Sequence, residues 1–325
     1  MNASSCLFGV ALLAASALCA AQGAWTPQRN IEIVVGSAPG GSNDKTARQV
    51  ERILVGEKLV PTSIAVVNRS GAGGTLALNY LNQHAGDGHY VIVFTPSMLT
   101  NHITGQSKAY YKDFTPIVSL FSDYIVFPVL ASGSIKDGKD LVSRLKSDPQ
   151  SVSVGFATAL GSHNHIAIGL LMKAIGGSPK DLKAIAYKGS ALAVTNLLGG
   201  HIDLVTTAAG NVAAHVQAGR LRVVAAAAPK RFGGALADVP TWKELGHDFV
   251  FGGWRAIVGP KNMTPEQVAF WEGALKKATQ VPEWQDGLRK NYWFDDFATS
   301  AKFKTEIEKD YNDMKAVLVD LGLAK

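Results

Sequence analysis

Residues 31–48, IEIVVGSAPGGSNDKTAR, decide the fold of this chain of 325 residues. An apolar, β-branched run passes through a glycine-rich turn straight into a helical pattern, which predicts a strand followed by a helix. Gly40 and Gly41 have no Cβ, so the backbone there can approach a ligand closely. The first amides of the helix lack intrahelical partners and favour an anion. Taken alone, the segment also fits a plain turn. The residues that can cap the helix are Ser42, Asn43 and Asp44.

Three later segments repeat this order of strand, small or hydroxyl residue, and helix. They are residues 68–75 (NRSGAGGT), 161–165 (GSHNH) and 187–190 (YKGS). In the first of them, a tight turn and close packing explain the glycines equally well. Ligands of open α/β sheets bind in the crevice at the carboxyl ends of the strands, where such helix starts lie. Backbone amides and neutral side chains suit a carboxylate that must also be released.

The rest of the chain predicts an α/β fold, because short β-branched runs alternate with helical patterns. We expect largely parallel sheets, with strands at 31–35, 63–67, 90–94, 124–130, 151–154, 203–207 and 222–226. Helices are predicted at 44–59, 161–175 and 190–198. Near the carboxyl terminus, Thr264 to Gln267 (TPEQ) form a capping box with proline at the first helical position. A later stripe at helical spacing consists of Phe303, Ile307, Tyr311, Met314, Leu318 and Leu321.

Two sheets joined by two crossings of the chain account for this length, with the second crossing near 251–255. This arrangement predicts a discontinuous first lobe, residues 24–124 and 251–325, and a second lobe, residues 125–250. The hydrophobic share of 47% is ample for two cores.

Residues 1–23 resemble a secretory signal peptide, because they carry no charge and hold a short apolar run followed by small residues. The run is shorter than the roughly 20 residues of a transmembrane helix. Both cysteines, Cys6 and Cys19, fall here, so we expect a periplasmic mature protein without thiols. The alternative, a lipid anchor on Cys19, is disfavoured by the bulky Leu18.

Composition and motifs exclude several classes of function. The net charge is +6, but the basic residues are scattered, which argues against a nucleic-acid partner and for a general attraction to small anions. The sequence has no nucleotide-phosphate loop, nucleophile elbow or dinucleotide fingerprint, so we expect neither a cofactor nor catalysis. His163 and His165 lie two positions apart, but without a neighbouring carboxylate or cysteine they do not predict a metal site.

The segments described above match, in order, the motifs of the Bug-type solute-binding proteins, the receptors associated with tripartite tricarboxylate transporters. The chain resembles this family over nearly all of its predicted mature length. The resemblance rests on the loop 35–44, NRSGAGG at 68–74 (the family has N-R-P-G-A-G-G) and DGHY at 87–90. It continues through KDFTP at 112–116, GSHNH at 161–165, YKGS at 187–190, LLGGHID at 197–203, DVPT at 238–241 and the segment around Trp254.

The resemblance implies a type II periplasmic-binding-protein fold, or Venus flytrap, in which two α/β lobes close around a ligand. It further implies a small carboxylate ligand, membrane subunits of a tripartite tricarboxylate transporter as partners, and a monomeric receptor. The implied contacts in the first lobe are Ala38, Gly40, Gly41, Asn43 and Ser97. Those implied in the second lobe are Gly161, Ser162, His165, Gly189 and Thr207.

Four positions depart from the family pattern. Ser37 stands where an aromatic residue is frequent, Asn43 where threonine is common, and His163 where a small hydroxyl residue is usual. Thr207 replaces a frequent acidic residue, and the loss of that partner for an ammonium group favours a carboxylate without an amine. His163 is either a charged donor at mildly acidic pH or a helix cap.

Two alternatives stay open at this stage. One is a secreted α/β enzyme that acts on a small carboxylate through Ser162, His163 or His165. The other keeps the fold but presents the ligand to a signalling partner.

Overall fold

The computed structural model describes residues 25–37, 39, 42–157 and 160–325. The predicted signal peptide with its two cysteines lies outside these residues, as do Ala38, Gly40 and Gly41 of the first glycine-rich turn. No helix in the described ranges is long and apolar enough to cross a membrane. Strands and helices are numbered below in chain order.

The first lobe is built on a mixed sheet. Its strands, in spatial order, are β2 (Ile64–Asn68), β1 (Ile31–Val35), β3 (Tyr90–Phe94), β9 (Gly252–Pro260) and the first part of β4 (Phe114–Leu130). β1 is parallel to β2 and β3, whereas β9 is antiparallel to β3 and β4. The short β10 (Ala298–Thr299) pairs with β4. The helices here are α1 (Ser42–Gly56), α2 (Thr75–Asn82), α3 (Pro96–Ile103), α8 (Pro265–Ala278), α9 (Pro282–Asn291) and α10 (Ser300–Asp320).

The second lobe repeats this plan with fewer elements. Its strands are β6 (Lys183–Tyr187), β5 (Ser153–Ala157), β7 (Leu204–Ala208), the second part of β4, and β8 (Leu221–Ala226). β5 is parallel to β6 and β7, and β4 is antiparallel to β7 and β8. Its helices are α4 (Gly138–Ser147), α5 (His163–Ala174), α6 (Ser190–Leu198) and α7 (Ala213–Gln217).

The two sheets meet along β4. This strand pairs with β9 from Phe114 to Tyr124 and with β7 and β8 from Ile125 onward. The chain returns at Phe251, which accepts a hydrogen bond from Ile125 N–H at 3.3 Å and donates its own N–H to Ala227 O at 2.9 Å. The chain therefore passes between the sheets twice, at the junction within β4 and just before β9.

Local sequence explains where the carboxyl-terminal helices begin and which face they bury. Thr264 Oγ1 accepts from Gln267 N–H at 3.3 Å, and Gln267 Oε1 accepts from Thr264 N–H at 2.9 Å, so the predicted capping box starts α8. The predicted apolar stripe runs along α10. Its buried members are Phe303, Ile307, Tyr311, Met314 and Leu318.

The helix α10 contacts both lobes, packing against α3 in the first and α5 in the second. A Cβ added to Gly169 of α5 would lie 3.4 Å from Val317 Cγ1, an ordinary van der Waals contact. Lys173 of α5 also forms an ion pair with Asp320 at the end of α10. Helix α10 therefore bridges the lobes, although its sequence position belongs with the first.

The sheets differ from the sequence prediction in two ways. Each lobe has a parallel part of three strands, but the strands that join the lobes are antiparallel, so the sheets are mixed. Several strand segments were also missed: β6, the first part of β4, β9 and the short β10. β6 is only partly buried, which weakens its apolar pattern, and the first part of β4 contains Pro116, a residue that strand interiors usually exclude.

Candidate ligand-binding site

A cavity of about 450 Å³, the main cavity, lies between the lobes where β4 and β9 run side by side. Helix starts supply much of its wall. The first lobe contributes the beginning of α1 (Ser42, Asn43, Lys45) and of α3 with its preceding residue (Thr95, Pro96, Ser97). The second lobe contributes the beginnings of α5 and α6, the end of β7 and the turn after it (His163, Asn164, Ser190, Ala208, Gly210, Asn211). The floor and remaining wall are Asp123, Ile125, Gly253, Arg255, Asn291 and Trp293.

The sequence positions these helix starts by ordinary capping chemistry. Ser162 precedes α5 in an extended conformation, and its Oγ accepts from His165 N–H at 3.5 Å and donates to Ala157 O at 2.9 Å. Helix α3 begins with Pro96, which lacks the N–H that a first helical position leaves unpaired. Because the free amides of such helix starts carry partial positive charge, the main cavity favours an anion.

A second cavity of about 290 Å³, the side cavity, adjoins the main cavity and shares Asn43, Thr95 and Ser97 with it. The glycine-rich turns predicted from the sequence border it. Its further wall residues include Gly36, Ser37, Gly73, Gly74, Gly161 and Ser162. The segment 68–75, for which packing alone was an equal explanation, therefore reaches a cavity.

The structure brings together four of the ten predicted contact residues. Asn43 and Ser97 line both cavities, and Gly161 and Ser162 line the side cavity. Ala38, Gly40 and Gly41 lie outside the described residues.

The other three predicted residues, His165, Gly189 and Thr207, line neither the main cavity nor the side cavity. His165 is 3% exposed, stacks on Phe156 at a centroid distance of 4.6 Å, and accepts Gly161 N–H at Nδ1. Thr207 is 1% exposed and its hydroxyl accepts from Asn211 Nδ2 at 2.9 Å. Gly189 precedes α6 in extended backbone, one residue before Ser190 of the cavity wall. These residues position the lining rather than form it.

Charged residues on the floor of the main cavity were missed by the sequence analysis. Asp123 lies on β4 and Arg255 on β9, and each is an isolated charge within an apolar strand. That isolation was the available signal, because a charge in a buried strand requires a partner or a function. Asp123 also corrects the argument from Thr207: an acidic side chain is present in the cavity, so an ammonium-bearing ligand is not disfavoured.

Burial governs the ionisation of these groups. It raises the pKa of Asp123 to about 6, against the opposing charge of Arg255 and a hydrogen bond from Trp293. Burial, together with the charge of Arg255, lowers the pKa of His163 to about 3. Burial also lowers the pKa of His165 to about 4. His163 is therefore neutral at mildly acidic pH, and because Ser162 caps α5, neither role expected for it applies.

The paired segments of β4 and β9, called the hinge strands below, have an opposite face that forms a third cavity of about 310 Å³, the rear cavity. Successive strand residues point to opposite faces, so Tyr124 and Trp254 face the rear while their neighbours Asp123 and Arg255 face the main cavity. Here the two large polar side chains of the strands both have partners. Tyr124 Oη donates to Asp296 at 2.8 Å, and Trp254 Nε1 donates to Asp310 at 2.7 Å.

Two lobes joined by antiparallel crossing strands, with a polar cavity between them, define a solute-binding protein of the periplasmic type. The sequence profile of the tripartite tricarboxylate transporter family receptor matches residues 46–323. The chain belongs to this family, which confirms the resemblance found from its motifs.

Individual relatives agree with this assignment. The chain is 31% identical over 260 residues to the protein BugT of Bordetella pertussis, with 78% of this chain and 77% of BugT covered. A TctC solute-binding protein from Polaromonas, solved without ligand, is 27% identical with a TM-score of 0.79, over 91% of this chain and 99% of that one. MatC from Rhodopseudomonas palustris with bound malate shares the fold at 24% identity, TM-score 0.73, over 90% and 99% of the two chains.

Proposed function

We propose that this protein is an extracytoplasmic receptor that captures a small carboxylate between its lobes and delivers it to the membrane subunits of a tripartite tricarboxylate transporter. The observation that carries the proposal is the main cavity. Helix starts from both lobes surround it, and it contains the positive groups of Lys45 and Arg255 but a single acidic lining residue, Asp123, among the described residues. The net positive field and the free amides stabilise a carboxylate.

The division into lobes supports closure as the functional event. In this proposal residues 24–124 and 251–325 move against residues 125–250, with the crossings at Tyr124–Ile125 and near Phe251 as hinges. Because Asn43 and Ser97 come from one lobe and Asn164 and Asn211 from the other, a ligand that contacts both sides favours the closed form.

The geometry of the polar cluster on α5 supports a role without catalysis. Ser162 Oγ donates to a backbone carbonyl, and His165 Nδ1 accepts a backbone N–H, so this serine is not activated by that base. Residues 1–23 direct export to the periplasm in this proposal, and the receptor acts as a monomer.

The experiment that tests the proposal is a thermal unfolding screen of the purified mature chain. A ligand that binds only the folded state raises the melting temperature, with a stabilisation of about 2.7 kcal/mol at 100 times its Kd. We expect mono- and dicarboxylates to raise it and their neutral amides, the matched controls, to leave it unchanged. Stabilisation by sugars or amides but by no carboxylate contradicts the proposal. Mass spectrometry of an incubated ligand tests catalysis, since any turnover contradicts a pure receptor.

A further inference from the structure

The hinge strands place a charged group of each sign on the floor of the main cavity. In the β4–β9 ladder, Asp123 is opposite Gly253, and Arg255 is opposite Phe121. Asp123 and Arg255 are thus diagonal neighbours on one face, a spacing that long side chains can bridge. Yet no ion pair within 4.0 Å joins them in the described part of the chain. The arginine Nη1 instead makes long hydrogen bonds to Gly253 O at 3.3 Å and Trp254 O at 3.4 Å.

The imidazole of His163, from the second lobe, reaches the same part of the cavity floor. A Cβ added to Gly253 would lie 3.2 Å from His163 Nε2 and 3.4 Å from Arg255 Nη1. The imidazole and the guanidinium therefore converge above this glycine. The His163 ring is held there by stacking on Phe251, with a centroid distance of 4.2 Å and an interplanar angle of 27°.

These three side chains keep buried polar atoms without hydrogen-bond partners among the described residues. The atoms are Asp123 Oδ1, Arg255 Nε and both ring nitrogens of His163. Asp123 is only 7% exposed and lines the main cavity. Buried polar groups are almost always paired in folded proteins, because an unpaired one loses its hydration without compensation. A ligand in the main cavity would supply the missing partners.

The chemistry of the three groups specifies that ligand more closely. A guanidinium pairs best with a carboxylate. An ionised aspartate only accepts hydrogen bonds, so it needs a donor on the ligand, and a neutral imidazole can accept from one side and donate on the other. We infer that Asp123, Arg255 and His163 form a specificity-determining group that selects a carboxylate with a hydroxyl or ammonium donor beside it. This inference rests on the proposed function, since it concerns the same cavity.

Matched probes test the inference. Titration calorimetry would compare succinate, malate and aspartate, which differ only in carrying hydrogen, hydroxyl or ammonium at C2, and likewise propionate, lactate and alanine. For at least one series we expect a donor-bearing probe to bind about 10-fold or more tightly than its parent acid, as for a hydrogen bond to a charged group. Asp123→Asn should reduce that preference to less than about 3-fold, and Arg255→Gln should weaken every carboxylate by about 10-fold or more.

Two further variants separate recognition from folding. Asp123→Asn combined with Arg255→Gln removes both charges, so no single buried charge is left unpaired, and it should still lose the preference. Asp296→Asn, a hinge-adjacent carboxylate of the rear cavity, is the matched control and should bind like the wild type.

The outcomes distinguish the inference from the proposed function. If no carboxylate binds, the proposed function fails and the inference with it. If carboxylates bind but a donor brings no gain in either series, or if Asp123→Asn keeps the preference, the inference is wrong and the proposed function stands. Loss of binding in Asp296→Asn equal to that in Asp123→Asn also overturns the inference, because the effect would then come from the hinge as a whole.

Discussion

Both faces of the β4–β9 ladder carry hydrogen-bonding side chains, but the two faces differ in how far those side chains are paired within the protein. On the rear face, Tyr124 and Trp254 donate to Asp296 and Asp310 at 2.8 and 2.7 Å, so the polar groups satisfy each other within the protein. On the main-cavity face, Asp123 and Arg255 retain unpartnered atoms. The comparison indicates that the rear face stabilises the hinge, whereas the main-cavity face keeps its hydrogen-bonding capacity for a ligand.

The largest expected effect is on the rear face, in Trp254→Ala. This side chain is 7% exposed, stacks on Phe94 at 5.9 Å and bonds to Asp310. Truncating a buried tryptophan should lower the free energy of unfolding by about 3–5 kcal/mol. Urea unfolding of the ligand-free protein measures this, with Trp254→Phe as a control that keeps most of the packing. A loss below about 1 kcal/mol would mean that the rear face is not structural.

The next largest effect is a loss of folding stability at acidic pH, caused by His163 on the main-cavity side. Because burial lowers the pKa of His163 to about 3, the unfolded chain protonates this histidine near its ordinary pKa of 6.5 while the folded chain keeps it neutral. The contribution of His163 to the free energy of unfolding is fully present above pH 6.5 and is lost as the pH falls below that value. Between pH 6.5 and 4.5 the loss should be about 2 kcal/mol.

His163→Asn should remove that loss, so the variant gains about 2 kcal/mol relative to the wild type on going from pH 6.5 to 4.5. Denaturant unfolding at the two pH values measures the gain. Replacement of the exposed His201 by asparagine is the control. An unchanged pH slope in His163→Asn would show that its ring is hydrated.

A smaller effect is expected for Gly253→Ala, and it should fall on binding rather than folding. The added methyl would meet His163 and Arg255. Because His163 comes from the second lobe, the proposed closure of the lobes would tighten this contact. We expect a carboxylate found in the thermal screen to bind about 10-fold more weakly, a cost near 1.4 kcal/mol. Gly233→Ala, where a Cβ meets nothing within 4 Å, is the control. Equal affinities in both variants would place His163 away from Gly253 in the bound form.

The smallest effect should follow Tyr124→Phe. It removes one hydrogen bond to Asp296 on the rear face and should lower the free energy of unfolding by about 1 kcal/mol. Ligand affinity should change by less than about 2-fold, because the hydroxyl does not face the main cavity. A large loss of affinity without a loss of stability would reverse the roles assigned to the two faces.

Much of the fold was predictable because local chemistry and tertiary structure agree. The strands β1 and β3 and the helix α6 have the predicted bounds, since β-branched runs and glycine boundaries mark them clearly. The capping box of α8 was also predictable from four consecutive residues. The partly buried edge strand β6 was not, because its apolar alternation is weak where only part of each face is covered.

The site was predictable in its helix starts and not in its floor. Glycine and capping residues indicate in the sequence where a helix starts and therefore where its free backbone amides lie. The residues that line cavities as their positions indicated are Asn43, Ser97, Gly161 and Ser162. Asp123 and Arg255 lie 132 positions apart, and only the register of β4 with β9 brings them to one face. The sequence does not contain that register, so their shared role depended on the tertiary structure.

Because α10 bridges the lobes without lining the described part of the main cavity, it can influence the free energy of lobe opening without contacting the ligand. The proposed parting of the lobes would break its contacts with α5, through Val317 and the Lys173–Asp320 ion pair, yet α10 gives no residue to the main-cavity wall within the described chain. In this proposal, a weaker contact between α10 and α5 would increase the fraction of molecules in the open form. The measured affinity would then fall in proportion to the fraction that remains closed and able to bind. The carboxyl-terminal helix can thus tune affinity over evolution while every ligand contact stays the same.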